Sequence, residues 1–136
     1  MRRALLITIF LYAASAVGFN RPHWIQVAGG SWEPDNTILT KADAKLKRKF
    51  QSHVRYVGPG DRWEDYTFQY QGSRLPTGQK IIDINAFCSN IPEEWLAHFK
   101  LTSEWVRIFG GGGCLFRAYY DLTIDKIFDL RVNAPK

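Results

Sequence analysis

Apolar residues change their spacing once along this chain, at Gly58-Pro59-Gly60-Asp61, and that single switch limits the folds open to it. Before the break the spacing is helical; after it apolar and polar residues alternate, as strands with one covered face require. Thr40 followed by Asp43 resembles a capping box, which predicts a helix from Thr40 to about His53. Turned at about 100° per residue, Leu39, Ala42, Leu46, Phe50 and His53 fall within about 80° of one another. They form an apolar stripe, with His53 expected as a core residue at the helix end. Lys41, Lys45, Arg48 and Lys49 gather on the opposite side.

Beyond the break, Tyr66, Phe68 and Tyr70 alternate with Thr67, Gln69 and Gln71, and Ile82, Ile84, Ala86 and Cys88 alternate with Ile81, Asp83, Asn85 and Phe87. The turn-rich residues 72–78 between them predict a hairpin. Pro92 followed by Glu93 and Glu94 predicts a short helix carrying Trp95, Leu96 and Phe99. Further strands are expected over 104–109, 114–121 and 126–132, with residues 24–27 as a short edge strand. Short links between successive strands favour an antiparallel meander. One amphipathic helix needs an apolar partner, so it is expected to lie across the sheet. The fold class that follows is α+β: one main helix packed on a curled antiparallel sheet of about four to five strands.

At 136 residues, 46% hydrophobic and 15% aromatic, the chain has enough apolar material for one core and too little length for two. That composition excludes a disordered chain and a polytopic membrane protein. Three segments are expected: a leader at 1–16, an extended arm at 17–36, and an α+β domain at 37–136. Arg2-Arg3, the apolar run from Ala4 to Tyr12 and Ala14-Ser15-Ala16 read as a secretory signal cleaved after Ala16. An uncleaved anchor is the alternative, but Ala4 to Phe19 is 16 residues, short of the roughly 18 to 20 that span a bilayer. A periplasmic or secreted domain that does not cross the membrane is therefore expected. Cleavage leaves 16 basic against 13 acidic residues, a net charge of +3. In an oxidising compartment the two cysteines, Cys88 and Cys114, favour one disulfide; two buried thiols are the alternative.

The motifs Asp83-Ile84-Asn85-Ala86-Phe87-Cys88, Gly111-Gly112-Gly113-Cys114-Leu115-Phe116, Tyr120-Asp121 and Leu130-Arg131-Val132-Asn133 are similar to a group of small exported bacterial proteins of unknown function. The resemblance covers 66–133 and implies a shared fold and a structural cysteine pair more than an activity. The order arm, helix, antiparallel strands also resembles the cystatin architecture, which implies a cystatin-like roll and protease inhibition. The cystatin Q-x-V-x-G loop is not matched at the hairpin, where Gly72-Ser73-Arg74-Leu75-Pro76-Thr77-Gly78 stands. Gln26-Val27-Ala28-Gly29 precedes the helix instead.

Gly110-Gly111-Gly112-Gly113 could cradle a phosphate, but neither a Lys-Ser/Thr pair nor a helix follows it, so it reads as a hairpin loop. His23, His53 and His98 stand without partners at ligand spacing, so no metal and no cofactor is expected. Two surfaces carry the candidate binding residues. Lys41, Lys45 and Lys49 make a basic stripe suited to an anionic envelope component or an acidic protein, or simply to solvent. On the sheet, Tyr66, Phe68, Ile82, Ile84, Phe128, Leu130 and Val132 are expected to face the helix. The other face then presents Asp83, Asn85 and Phe87 with Trp105, Arg107, Arg117, Tyr119, Asp129 and Arg131. Interleaved aromatic and hydrogen-bonding groups suit a ligand concavity, or cross-strand packing alone.

The expected function is an exported, disulfide-stapled binding or interaction module without catalysis. Its partner is a protein or an anionic envelope component, with nucleic acid disfavoured by export and modest charge. Two alternatives stand beside it. One is a small α+β-pocket hydrolase or isomerase with Asp83 as general base and Arg117 or His98 as stabiliser; the other is a protease or lysozyme inhibitor.

Overall fold

The helix begins four residues before Thr40, its expected start. The computed structural model describes residues 23–53 and 62–133; the leader at 1–16, the first part of the arm and the Gly58-Pro59-Gly60-Asp61 break lie outside them. Helix α1 runs over Asn36–His53. Its N-terminal cap is Asp35, whose Oδ1 accepts the Ile38 amide at 2.8 Å, whereas the Thr40 hydroxyl donates to the Asn36 carbonyl at 2.8 Å. The capping expected of Thr40 therefore belongs to Asp35, which leaves Thr40 inside the first turns. Leu39, Ala42, Leu46 and Phe50 are buried as expected. His53 is exposed, and its Nδ1 lies 3.1 Å from the Lys49 carbonyl, one of the orphan groups of the last turn.

Strand β1 (Trp24–Gln26) precedes α1; strands β2 (Tyr66–Arg74), β3 (Lys80–Cys88), β4 (Leu115–Asp121) and β5 (Lys126–Val132) follow it, with the single-turn α2 (Glu93–Leu96) between β3 and β4. The sheet is open and runs β1-β2-β3-β4-β5. Strands β2 to β5 form the expected antiparallel meander. The edge strand β1 pairs parallel to β2, because α1 supplies the crossover that a parallel neighbour needs. The sheet is thus mixed rather than antiparallel throughout, and the fold is a small α+β one.

One face of the sheet packs on α1. Phe50 is the hub, its ring 4.5 Å from that of Phe116 and 5.4 Å from that of Tyr66. Phe68, Ile82, Ile84 and Ala118 complete this core. Aromatic contacts of this geometry add to the area they bury. Phe128 departs from the expected face. The register shifts between Arg117 and Tyr119, so that Asp129, at φ 50°, and Leu130 together oppose Ala118. This bulge offsets the period-two pattern. Ile127 and Leu130 both turn toward α1, while Phe128 stacks on Tyr119 on the far side at 5.2 Å.

The connection between β3 and β4 folds back over the second face. Phe87, Ile91, Val106 and Leu115 make a separate small core there, joined by Leu96, Phe99, Leu101 and Ile108. The strand expected over 104–109 does not form; Trp105 to Ile108 have no regular secondary structure and join no ladder. The Cys88–Cys114 disulfide is present, with its Cα atoms 4.9 Å apart, and ties the end of β3 to the start of β4 across this connection.

The described part of the arm, from His23, packs on the sheet. Trp24 stacks on Phe68 at 4.7 Å, and the Trp32 indole donates to the Ser73 carbonyl at 2.8 Å. Among the described residues no helix is long and apolar enough to cross a membrane.

Candidate functional site

The second face of the sheet is closed at one end and open at the other, and two buried amides decide where the boundary falls. Gln69 on β2 and Asn85 on β3 are cross-strand partners, both buried. The Gln69 Nε2 donates to the carbonyls of Leu101 (2.9 Å) and Glu104 (2.7 Å), while its Oε1 accepts from the Val106 amide (2.9 Å) and from Asn85 Nδ2 (3.1 Å). Asn85 also donates to the Val106 carbonyl at 3.0 Å. Backbone groups that a strand would have paired, the Glu104 carbonyl and the Val106 carbonyl and amide, are thus taken by side chains, and 104–109 does not join the sheet. Buried amides bonded this completely are stabilising, whereas half-satisfied ones are costly.

Past Val106 the connection lifts away and leaves a cleft of about 390 Å³ between residues 106–110 and β4. Its walls include Asn85, Val106, Arg107, Ile108, Leu115 and Arg117, with Phe109 and Asn133 at its lining. Asn133 holds the far end, its Nδ2 donating to the carbonyls of Ile108 (2.8 Å) and Gly110 (2.9 Å). The glycine loop beside it is engaged through its carbonyls: Tyr66 Oη donates to Gly113 at 2.5 Å, and the Cys114 amide bonds back to Gly111. Gly111, at φ 87°, has a conformation that suits glycine, and a Cβ there would meet Leu115 Cδ1 at 2.5 Å.

Three of the residues singled out from the sequence meet at this cleft: Asn85, Arg107 and Arg117. Arg107 and Arg117 are exposed, and Arg117 is the cross-strand partner of Asn85. Asp83, opposite Tyr119, lies two residues along β3 and is not part of the cleft lining. It is half-buried and accepts the Ser73 hydroxyl at 3.2 Å. Burial raises its pKa, against the opposing pull of Ser73 and the Arg117 charge. Tyr119 is occupied by Phe128, and Trp105 is half-buried outside the cleft.

The basic stripe forms a separate place. Lys45 pairs with Asp125 at 3.3 Å, and Lys45, Arg48 and Lys49 border a shallow hollow of about 500 Å³ with Lys126 at the start of β5. Lys41 is exposed and adds its charge at Asp125. Arg74, at the β2–β3 hairpin, donates to the Gly78 carbonyl at 3.1 Å, which closes the turn.

Gln69, Phe109 and Asn133 were not legible as site residues. Gln69 alternates with aromatic residues as a solvent-facing glutamine does. What distinguishes it is the register of the folded hairpin, which sets it opposite Asn85 on the face that Phe87 makes apolar.

Fold and site together define a small disulfide-linked α+β domain with a cationic cleft on the face away from its helix. No protein-family model matches the chain, and no solved structure matches it. The major capsid protein L1 of human papillomavirus 14 is 30% identical over 118 residues, covering 65% of this chain and 22% of that protein. The chain thus spans about a fifth of the length of the curated relative it matches.

Proposed function

We propose that this protein is an exported binding module that acts by contact rather than turnover, retaining a protein or an anionic envelope component in the cleft beside Arg107 and Arg117. The observation that carries the reading is the open half of the second sheet face. A wall fixed by Gln69 and Asn85 carries exposed Arg107, β4 carries exposed Arg117, and apolar residues line the cleft with them. Convergent donors above apolar surface are the usual make-up of a recognition site. Export to the periplasm or beyond, after cleavage near Ala16, is part of the same proposal, and the Cys88–Cys114 disulfide supports it. A cystatin-like roll is the finer fold reading. The order β1, α1 and a four-strand meander supports it, while the parallel pairing of β1 departs from the all-antiparallel expectation.

The test expresses the full chain with its leader, fractionates the cells, and weighs the exported form. Captures from envelope extracts by the wild type and by an Arg107→Ala/Arg117→Ala variant are then compared. The reading expects a mature chain beginning after Ala16, one disulfide, and a partner lost in the variant. Retention in the cytoplasm, or equal capture by both proteins, would overturn it.

A further inference from the structure

If the cleft is the recognition site of the binding module proposed above, its hydrogen-bond inventory specifies the ligand. Both amide hydrogens of Asn85 Nδ2 are committed, to Gln69 Oε1 and the Val106 carbonyl. Those of Asn133 Nδ2 are committed to Ile108 and Gly110. The side-chain donors left in the lining are the guanidinia of Arg107 and Arg117, which have no hydrogen-bond acceptor among the described residues and carry fixed positive charge. Their natural counterpart is an anionic acceptor of planar shape.

Charge narrows the class further. The Asp83 carboxylate acts on Arg117 from two residues along the neighbouring strand, and Arg131, the cross-strand partner of Arg117, is held by Asp129 at 2.8 Å. Two guanidinia partly offset by one carboxylate match a single negative charge better than a double one. The side chains of Val106, Ile108 and Leu115 add apolar lining, and Phe109, also in the lining, is 101% exposed. A fully exposed phenyl ring beside an apolar cleft is surface that a ligand would cover. We propose that the cleft takes a monocarboxylate carried on an apolar body, the carboxylate between Arg107 and Arg117 and the body against Val106, Ile108, Leu115 and Phe109. This rests on the binding-module reading and names its ligand chemistry.

The experiment titrates the full disulfide-bonded chain with hexanoate, hexanol and inorganic phosphate, following backbone amide shifts. Hexanoate is expected to move the amides of 106–110 and of Arg117. Hexanol, which forgoes the charge-assisted hydrogen bonds to both guanidinia, should bind roughly a hundredfold more weakly. Arg107→Ala and Arg117→Ala should each weaken hexanoate by about tenfold, with the urea midpoint unchanged because both side chains are exposed. Phosphate binding as well as hexanoate, hexanol equal to hexanoate, or hexanoate binding that survives in the double variant each overturns the ligand class. If hexanoate does nothing while the double variant still loses an envelope partner, the monocarboxylate falls and the binding module stands. If neither effect is seen, both fall.

Discussion

Gln69 Oε1 accepts one hydrogen bond from Asn85 Nδ2 at 3.1 Å and another from the Val106 amide at 2.9 Å, so a single side-chain oxygen joins the sheet to the segment that walls its cleft. Gln69→Leu keeps the volume and removes four hydrogen bonds, leaving the buried Asn85 amide and the Val106 N–H short of an acceptor. The expected loss is about 2–4 kcal/mol in urea unfolding. Hydrogen exchange at Val106 should become fast. Gln71→Ala, which removes bonds to Val27 and Ala28 near the surface, should cost about 0.5–1.5 kcal/mol.

The disulfide closes a loop of 26 positions. In the loop-entropy treatment the paired Cys88→Ala and Cys114→Ala variant loses about 3.5 kcal/mol of stability. A urea midpoint unchanged from wild type would show that the second small core alone aligns β3 with β4.

Two carboxylates are predicted to respond to acid in opposite senses. The Tyr120 hydroxyl at 2.5 Å, followed by Lys45, lowers the pKa of exposed Asp125. A depressed carboxylate contributes stability above the ordinary carboxylate range and loses it as pH falls through the folded value. Burial raises the pKa of Asp83, so its contribution is present in acid and is lost as pH rises through its higher folded value. Unfolding curves against pH should therefore show Asp125→Asn flattening the acid decline. Asp83→Asn should raise stability at neutral pH and give no gain in acid.

Gly72 is where the arm meets the sheet. A Cβ there would stand 2.2 Å from the Trp32 carbonyl, with backbone on the other side of the contact. Gly72→Ala is expected to displace the arm, break the Trp32 indole bond to Ser73, and cost about 1–3 kcal/mol. Limited proteolysis within 28–34 should then be faster than in the wild type. Gly78→Ala tests a different effect, since its Cβ would meet nothing within 4 Å and only its φ of 85° is unfavourable.

Much of this fold is written in periodicity. Lys126–Val132 forms the strand expected of it, and the α1 stripe is buried from Leu39 to Phe50. The failures share a cause, in that a local pattern does not report which group takes up a backbone hydrogen bond. Residues 104–109 alternate as a strand does, with Val106 buried and Arg107 exposed, yet Gln69 takes the bonds that would have made a ladder. Phe128 keeps its alternation only up to the bulge at Asp129. His53 has the angle of a core residue but lies in the last turn, beyond Phe50. Of the cleft, the sequence indicated Asn85, Arg107 and Arg117 because charged and amide residues stood out on an alternating face. It was silent on Phe109 and Asn133, whose places depend on how the glycine loop turns.

Every bond by which Gln69 and Asn85 grip the connection is to main chain: the carbonyls of Leu101, Glu104 and Val106, and the amide of Val106. A strap fastened through its peptide groups places no demand on the identity of the side chains it displays. Arg107 and Phe109 are therefore positions where exchange alters what is gripped while the scaffold beneath stays the same, as fingertips can change on an unchanged hand.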